Sequence, residues 1–319
     1  MYKLFDKTDL KLLAELDKNS RQTISKIAKK LKGNQNTLQF RLKRLIDEQV
    51  IISFYPSIDI SKLGLFAFRT YFNFTGTDAT KEQKIINELV ESNICTIVAE
   101  LELNYSVMFI TVVKNNKEFY NFWKQFKEKY GEYINDEQIS FILKIEHFKR
   151  DYLINSKRNR VESVGESEII KLDKEDKQIL SLLAKNCRTS ALDISDKTKI
   201  PARTVIYKIK QLEKKKIILG YRINIDLGKM GYEYFKLNIK LTDIKQMNNL
   251  NILCRQNNNV VYIDYTISPW DFELDLEIKN KQELFKFIKN LKSIFPIIKE
   301  IEIITFLKYY KIETIPKII

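Results

Sequence analysis

The apolar positions of residues 36–51, NTLQFRLKRLIDEQVI, recur at helical spacing. This period predicts an amphipathic helix whose apolar stripe packs on neighbouring elements. Residues 203–218, RTVIYKIKQLEKKKII, follow the same plan. The stripes consist of Leu38, Leu42 and Leu45 in the first stretch and of Val205, Ile209 and Leu212 in the second. The opposite side of each helix mixes amide, aromatic and cationic side chains, and such a face suits either solvent or a charged partner.

The similarity of the two stretches is part of a repeat in which each copy spans about half of the chain. FDKTDLKLLAELDKNSR at 5–21 aligns with LDKEDKQILSLLAKNCR at 172–188, an offset of 167 residues that sets Asp6 against Asp173. The alignment continues without a gap until Gly64 meets Gly231. A fixed period of this kind is the signature of an internal repeat. The sequence is therefore a tandem duplication.

Each copy begins with the pattern of three short helices. In the first copy, Asp6 is a suitable N-cap for an apolar stripe that starts at Leu10, and a second helix is predicted over Thr23–Leu31. Gly33 permits a turn, and Asn34 can cap the third helix. In the second copy Pro201 starts the third helix without a capping side chain. This order is that of a helix-turn-helix.

The remainder of each copy changes to strand and helix segments in the order βαββαβ, which is typical of a ferredoxin-like domain. Two β-rich runs, VIISFYPSID at 50–59 and IILGYRINID at 217–226, precede it and form either a wing or a strand leading out of the domain. We therefore predict an α+β fold with two winged helix-turn-helix domains and two ferredoxin-like domains in tandem. The predicted boundaries are 1–60 and 172–227 for the helix-turn-helix domains, 61–150 and 228–319 for the ferredoxin-like domains, and 151–171 for an aperiodic linker.

Composition and charge narrow the class of protein. The net charge of +14 indicates a polyanionic partner, either nucleic acid or an anionic membrane face, although a lysine-rich coding bias gives the same balance. Three widely separated cysteines and one histidine form no metal-binding motif, so we expect reduced thiols, no metal and no cofactor. No signal peptide or apolar run of membrane-spanning length is present, which predicts a cytoplasmic protein that does not enter a membrane.

These motifs together resemble the Lrp/AsnC, or feast/famine, family of prokaryotic transcription factors. The resemblance rests on the LDKxDxxIL opening, on Asn-x-Arg before the second helix, on the (K/R)x(K/R)xLxxxxxI helix and on the ferredoxin-like half, which in this family is called the RAM domain. It implies a regulator, in our interpretation an archaeal one, that binds double-stranded DNA. Family members generally carry one copy and dimerise or form larger homo-oligomers through the ferredoxin-like halves. Two covalently joined copies imply a single-chain pseudo-dimer.

The resemblance assigns the outer face of the third helix of each copy to DNA. In the first copy Gln35, Asn36 and Gln39 are the amides suited to adenine, whereas Arg203 in the second copy suits guanine. Phosphate contacts are expected from Arg41, Lys43, Arg44, Lys208 and Lys210. Phe40 and Tyr207 either contact DNA or pack in the domain, and Thr37, Ala202 and Thr204 complete the predicted set. Because the two faces differ, we predict unlike half-sites about 34 Å or a multiple apart.

In the family, the loop between the second and third strands of the ferredoxin-like half carries a Gly-Asp-aromatic-Asp signature near an amino-acid effector. The corresponding residues are Asn104 and Tyr105 in the first copy and Trp270 and Asp271 in the second. The aromatic residue is present in both copies, but the glycines that permit close approach to a ligand are absent, which argues against an amino-acid effector. A role in a subunit interface is the alternative that we favour.

Three further groups of residues are read as structural. The aromatic stripe Phe119, Phe122, Trp123, Phe126 and Tyr130 is predicted to pack on the sheet. His147 shares the parity of the apolar residues of its strand and is predicted to be a core or interface residue. Alternating acids of the second copy are interpreted as one solvated face, namely Asp264, Asp271, Glu273, Asp275 and Glu277.

Two other functions remain open. Siroheme decarboxylases resemble the same family and pair two such copies, but catalysis there is understood to use histidine and arginine, and this chain has a single histidine. We therefore predict that the protein is not an enzyme. A protein that caps assemblies of single-copy relatives is the second alternative, although both third helices retain their cations.

Overall fold

The computed structural model describes residues 5–158, 161–165 and 168–317. Positions 159–160 and 166–167 of the predicted linker, and 318–319 of the last predicted domain, lie outside the described residues. The first copy consists of α1 Lys7–Lys18, α2 Ile24–Leu31, α3 Gln35–Asp47, β1 Ile51–Ile58, β2 Phe66–Phe74, α4 Ala79–Glu91, β3 Cys95–Glu102, β4 Val107–Val113, α5 Asn116–Tyr130 and β5 Ile134–Phe148. Strand β6, Val161–Gly165, follows. The second copy consists of α6 Lys174–Lys185, α7 Ala191–Thr198, α8 Ala202–Lys214, β7 Ile218–Ile225, β8 Glu233–Leu241, α9 Met247–Gln256, β9 Val260–Ile267, β10 Phe272–Ile278, α10 Lys281–Ile294 and β11 Ile298–Ile312.

The helix boundaries follow from local capping. Asp6 and Asp173 each form a capping box with the aspartate three residues later, as the sequence predicts for α1 and α6. The side chain of Asn34 accepts from two backbone amides at the start of α3, whereas Pro201 offers no side-chain cap to α8. The helix-turn-helix prediction is confirmed in both copies.

The two helix-turn-helix units are joined by a β-ribbon. Strand β1 pairs with β7 in an antiparallel two-stranded sheet. The β-rich runs after the third helices therefore contact each other across the copies. This pairing decides between the two predicted alternatives, because each run is a strand that leaves its own helices and meets its counterpart.

The two ferredoxin-like halves form one closed barrel. The first part of β5 pairs with β2 of its own copy and the second part with β9 of the other copy. In the same way, β11 pairs first with β8 and then with β3. These exchanges close eight strands into a ring in the order β2-β4-β3-β11-β8-β10-β9-β5. The halves thus pair within one chain.

The segment predicted as an aperiodic linker contains regular structure. It includes a turn of 3-10 helix at Asp151–Leu153 and strand β6, which pairs with the end of β5. Gly165 ends β6 with a φ of 115°, and a Cβ atom there would lie 2.2 Å from the carbonyl oxygen of Leu143. A short strand that pairs at a sheet edge needs no strong alternation of its own, which explains why periodicity did not reveal it.

Packing confirms two of the structural interpretations and overturns a third. The aromatic stripe of α5 packs on β2 and β4, with Phe126 next to Phe72 and Phe109. His147 is buried and stacks on Tyr262. The prediction of a solvated acidic face is wrong for Asp264, Glu273, Asp275 and Glu277, all of which are buried. These acids face the barrel interior, where cations from both copies neutralise them.

Candidate nucleic-acid interface

Helices α3 and α8 are held by their apolar stripes and expose the opposite side. All six stripe residues are buried, as predicted. The outer side, which we call the recognition face of each helix, carries most of the residues assigned to DNA. Exposed members are Gln35, Asn36, Thr37, Gln39, Phe40 and Lys43 on α3, and Arg203, Tyr207 and Lys210 on α8. Ala202 and Thr204 are half-buried at the start of α8.

The two aromatic residues of the recognition faces point outward. Phe40 is 70% exposed and Tyr207 is 61% exposed. Of the two roles left open for them, packing inside the domain is therefore not adopted. Exposed aromatic side chains cost hydrophobic free energy unless a partner covers them. Their position beside exposed amides and cations is consistent with a nucleic-acid surface.

Three of the cations assigned to phosphates are instead engaged within the protein. Arg41 donates to Asp6 at 2.7 Å and to Asp9 at 2.9 Å, and Arg44 donates to Asp9 at 2.6 Å. These carboxylates are the capping box of α1. In the second copy, Lys208 donates to Asp173 at 2.5 Å and to Asp176 at 3.1 Å.

The ion pairs hold the third helix against the start of the first. The hydrogen bonds that Arg41 donates, first to Asp6 and then to Asp9, raise the pKa of its guanidinium. Partial burial alone would lower the pKa of Lys208, but the bonds to Asp173 and Asp176 raise it. These three cations consequently orient the recognition faces. The sequence did not predict this role. A signal for it was present, because the capping aspartates occur at equivalent positions in both copies of the repeat.

Other cations are free to meet a ligand. Lys43 on α3 and Arg203 and Lys210 on α8 are exposed and make no ion pair or side-chain hydrogen bond within the described part of the chain. The first copy thus offers amides with one free lysine, and the second offers an arginine and a lysine. A duplex that contacted both faces would meet different chemistry at each.

The two helix-turn-helix units are locked by a reciprocal contact. The Arg21 guanidinium donates to the carbonyl oxygens of Cys187 and Thr189, and the Arg188 guanidinium donates to those of Ser20 and Gln22. The hydroxyl of Ser20 lies 3.1 Å from the Cys187 sulfur atom. The repeat pairs Arg21 with Arg188, but the alignment alone does not reveal a contact. The lock and the β1–β7 ribbon hold the two helix-turn-helix units together.

A buried ionic junction connects the two helix-turn-helix units to the barrel. Arg150 donates to Asp17 of α1 at 2.9 Å and to Glu277 of β10 at 2.8 Å, and Tyr152 donates to Glu277 at 2.5 Å. Arg222 of β7 lies 3.3 Å from Asp17 and donates to the carbonyl oxygen of Phe148. Burial, followed by the neighbouring cations, holds the pKa of His147 well below its ordinary value. The imidazole is therefore buried in its neutral form.

Of the loop residues considered for an effector, Asn104 and Tyr105 lie at the seam between the copies, whereas Trp270 and Asp271 have hydrogen-bonding partners in their own copy. The hydroxyl of Tyr105 donates to Gln138 at 2.8 Å, and the Asn104 amide lies 3.4 Å from Glu302 of the second copy. Asp271 accepts from the backbone amide of Leu241 at 2.8 Å, and the indole nitrogen of Trp270 is buried without a hydrogen-bond partner among the described residues. Most of their polar groups thus form hydrogen bonds within the protein.

The described residues contain no group of three or more His, Cys, Asp or Glu side chains that could hold a metal ion. Within the same residues, no helix has the length and apolarity to cross a membrane.

Comparisons with known proteins agree with the geometry. A family model described as winged helix-turn-helix DNA-binding matches residues 5–52 and 172–218. An uncharacterised HTH-type transcriptional regulator of Pyrococcus abyssi is 23% identical over 123 residues, which is 39% of this chain and 84% of the relative. The HTH-type transcriptional regulator LrpA of Pyrococcus horikoshii is 43% identical over 61 residues, covering 19% of this chain and 43% of LrpA.

Among solved structures, the siroheme decarboxylase NirDL is similar over the whole fold. The TM-score is 0.63 at 12% identity, with 95% of this chain and 92% of that chain covered. At this identity the similarity concerns the fold alone. The chain thus contains the winged helix-turn-helix DNA-binding domain twice and is similar in sequence to HTH-type transcriptional regulators, LrpA among them.

Proposed function

We propose that the protein is a transcriptional regulator of the Lrp/AsnC type that binds double-stranded DNA sequence-specifically as a single-chain pseudo-dimer. The observation that carries this proposal is the pair of exposed, rigidly joined recognition faces on α3 and α8. A helix of 13 residues is about 20 Å long and fits a major groove about 12 Å wide. We further infer that the protein works in the cytoplasm, is not an enzyme and has no cofactor.

The proposal assigns different half-sites to the two faces. Gln35, Asn36 and Gln39 are suited to adenine, and Arg203 is suited to guanine. Lys43 and Lys210 are the free cations that neutralise phosphates, while Arg41, Arg44 and Lys208 orient their helices and reach phosphates only if the capping carboxylates release them. The expected operator is therefore asymmetric.

A salt titration on a duplex selected from a random pool tests DNA binding. For Z phosphate contacts, log K should fall against log salt with a slope of about −0.9Z. Lys43→Ala or Lys210→Ala should reduce the magnitude of the slope by about 1 without changing sequence preference. A flat response to salt would contradict the proposal and favour a protein partner.

Specificity is tested with one substitution in each copy. Gln39→Ala and Arg203→Ala should each cost about 1–3 kcal/mol on the selected site and leave binding to unrelated duplexes unchanged. Footprinting should show that the two substitutions weaken opposite ends of the site. Loss at the same end, or equal loss on every duplex, would contradict the assignment.

A siroheme decarboxylase activity is the second candidate, and the specific observation in its favour is the whole-chain similarity to NirDL. Against it, His147 is the only histidine in the chain and is buried and neutral. Incubation of the purified protein with siroheme should leave the absorption spectrum unchanged. A spectral shift with release of carbon dioxide would replace the regulatory proposal.

An effector and larger homo-oligomers through the ferredoxin-like halves remain proposals. Asn104, Tyr105, Trp270 and Asp271 would line an effector site. Their hydrogen bonds within the fold and the absent glycines favour an interface role over binding of an amino acid.

A further inference from the structure

The inner faces of the two ferredoxin-like halves have opposite chemical character. The strand register shows which positions of the two halves are equivalent. Met108 pairs with Tyr71 in the first copy, and Glu273 pairs with Asn238 in the second. Because Tyr71 corresponds to Asn238 in the repeat, Met108 corresponds to Glu273. At the corresponding positions the first copy has apolar residues and the second has acids. The pairs, first copy then second, are Ala99 and Asp264, Met108 and Glu273, Ile110 and Asp275, and Val112 and Glu277.

The cations that neutralise these acids come from both copies. Lys236 of the second copy lies 2.8 Å from Asp264, 3.0 Å from Glu273 and 3.4 Å from Asp275. Arg69, the counterpart of Lys236 in the first copy, reaches across to bond Asp264 and to donate to Glu273 at 2.6 Å. We call these five residues the interior charge cluster. Every member is buried.

A second buried contact between the copies also joins a cation of the first copy to an acid of the second. Arg150 follows the last strand of the first half and is buried against Glu277 of the second half with a two-pronged hydrogen bond, 2.8 Å at each nitrogen atom. In the interior charge cluster and in the Arg150–Glu277 pair, the cation that crosses between the halves therefore comes from the first copy and the acids come from the second. Outside this interior, Arg255 of α9 donates in the opposite direction, to Glu146 of β5.

Self-pairing of either half would leave these charges without partners. Two second halves would face each other with the four acids of each and a single lysine apiece. Two first halves would bury two copies of Arg69 against alanine and methionine at the positions of Asp264 and Glu273. Because an unpaired buried charge is strongly destabilising, both homotypic pairs are disfavoured relative to the observed one.

We propose that the interior charge cluster and the Arg150–Glu277 pair make the two ferredoxin-like halves selective partners of one another. Repulsion in the wrong pairs contributes as much to this selectivity as attraction in the right pair. The partner of each half is thus the other half, and the chain avoids pairing with a like half of a second chain or with an acidic half of a relative. This inference does not depend on DNA binding.

Nicking of the intact protein tests the proposal. A protease recognition sequence inserted after Lys157, an exposed residue in the segment before β6, allows the folded chain to be cut between the copies. Nicked protein with light and with heavy isotopes is mixed in urea at concentrations where halves exchange, and the pairs are weighed by native mass spectrometry. Pairs that contain one first-copy fragment and one second-copy fragment should be more than about tenfold as abundant as pairs of two identical fragments.

A neutral variant provides the matched comparison. Arg69→Met and Lys236→Met are combined with Asp264→Ala, Glu273→Met and Asp275→Ile, so that the three acid positions carry the residues of the first copy. Apolar replacement of a whole buried ionic group is often neutral or stabilising, so this chain is expected to fold. After nicking, its homotypic pairs should increase at least about tenfold over those of the native protein.

Two results would overturn the proposal. The first is a statistical mixture of pairs from the native protein. The second is a neutral variant that selects its partner as strictly as the native chain does. The native fragments could fail to exchange at every urea concentration short of unfolding, and the neutral variant then decides alone. Homotypic pairs formed by the neutral variant would support the proposal. Exchange of the neutral variant without homotypic pairs would overturn it.

Discussion

At the contact between the helix-turn-helix units the two copies present like residues, whereas inside the barrel they present unlike ones. Arg21 and Arg188 occupy equivalent positions and donate to equivalent carbonyl groups. In the barrel, Met108 and Glu273 are equivalent positions with opposite polarity. A symmetric contact tolerates either copy as its partner, but a charged one selects a partner. The divergence of the copies therefore controls which halves meet, while the conserved symmetry keeps the recognition faces in a regular arrangement.

Arg150→Met is expected to have the largest effect, because it leaves Asp17 and Glu277 buried without their common partner. We expect a loss of about 3–5 kcal/mol in the free energy of unfolding, measured by urea titration. Lys124→Met is the control, since Lys124 forms an exposed ion pair with Glu128 and should change stability by less than about 1 kcal/mol. Equal effects of the two substitutions would contradict the importance of the buried junction.

The charge cluster also predicts a specific pH dependence. Burial, opposed by Lys236, raises the pKa of Asp275 to about 6, whereas cations from both copies overcome burial and lower that of Asp264 to about 2. A raised pKa means that the folded protein holds the proton more tightly. The contribution of Asp275 is therefore full below its unfolded value of 3.8 and is lost as the pH rises through 6.

Asp275→Asn replaces this titrating carboxyl group with a neutral amide. Relative to the native chain, the variant should gain about 3 kcal/mol of stability between pH 4 and pH 7. The measurement is urea unfolding across that range. Asp271→Asn, at a half-buried acid outside the interior charge cluster, is the control. A constant difference between Asp275→Asn and the native chain would show that Asp275 is charged throughout.

The symmetric contact predicts equal costs. Arg21→Ala and Arg188→Ala each remove hydrogen bonds from a charged donor to backbone carbonyl groups of the other copy and should each cost about 1.5–3 kcal/mol. Thermal or urea unfolding of the two variants should agree within about 0.5 kcal/mol. A large effect in only one of them would mean that the copies have also diverged at this contact.

The recognition faces should contribute least to stability. Phe40→Ala and Tyr207→Ala remove exposed rings, so unfolding free energies should change by less than about 0.5 kcal/mol. Binding to the selected duplex should nevertheless weaken in both variants. A marked loss of stability would show that the rings pack in the domain. Unchanged binding would remove them from the interface.

Much of the fold was predictable because it rests on local signals and on the repeat. The capping residues Asp6 and Asn34 and the stripe at Leu38, Leu42 and Leu45 define their helices with short-range hydrogen bonds and one apolar face. The exposure of Gln39 and Phe40 follows from the same period. The sequence also assigns Arg41 and Lys208 to phosphates, but a cation on a helix can bind carboxylates that only the tertiary structure brings near, as both residues do here.

The sequence by itself determined the duplication, the helix-turn-helix pattern, the order of strands and helices in each half and the outward side of each third helix, because these depend on periodicity and on neighbouring residues. Only the tertiary structure decided that β1 pairs with β7, that the barrel closes within one chain and that the acids of β9 and β10 are buried. Alternating acids have the same period whether they face water or a cation supplied from the other copy. The position of Arg69 across the barrel, many residues away in the sequence, resolves that ambiguity.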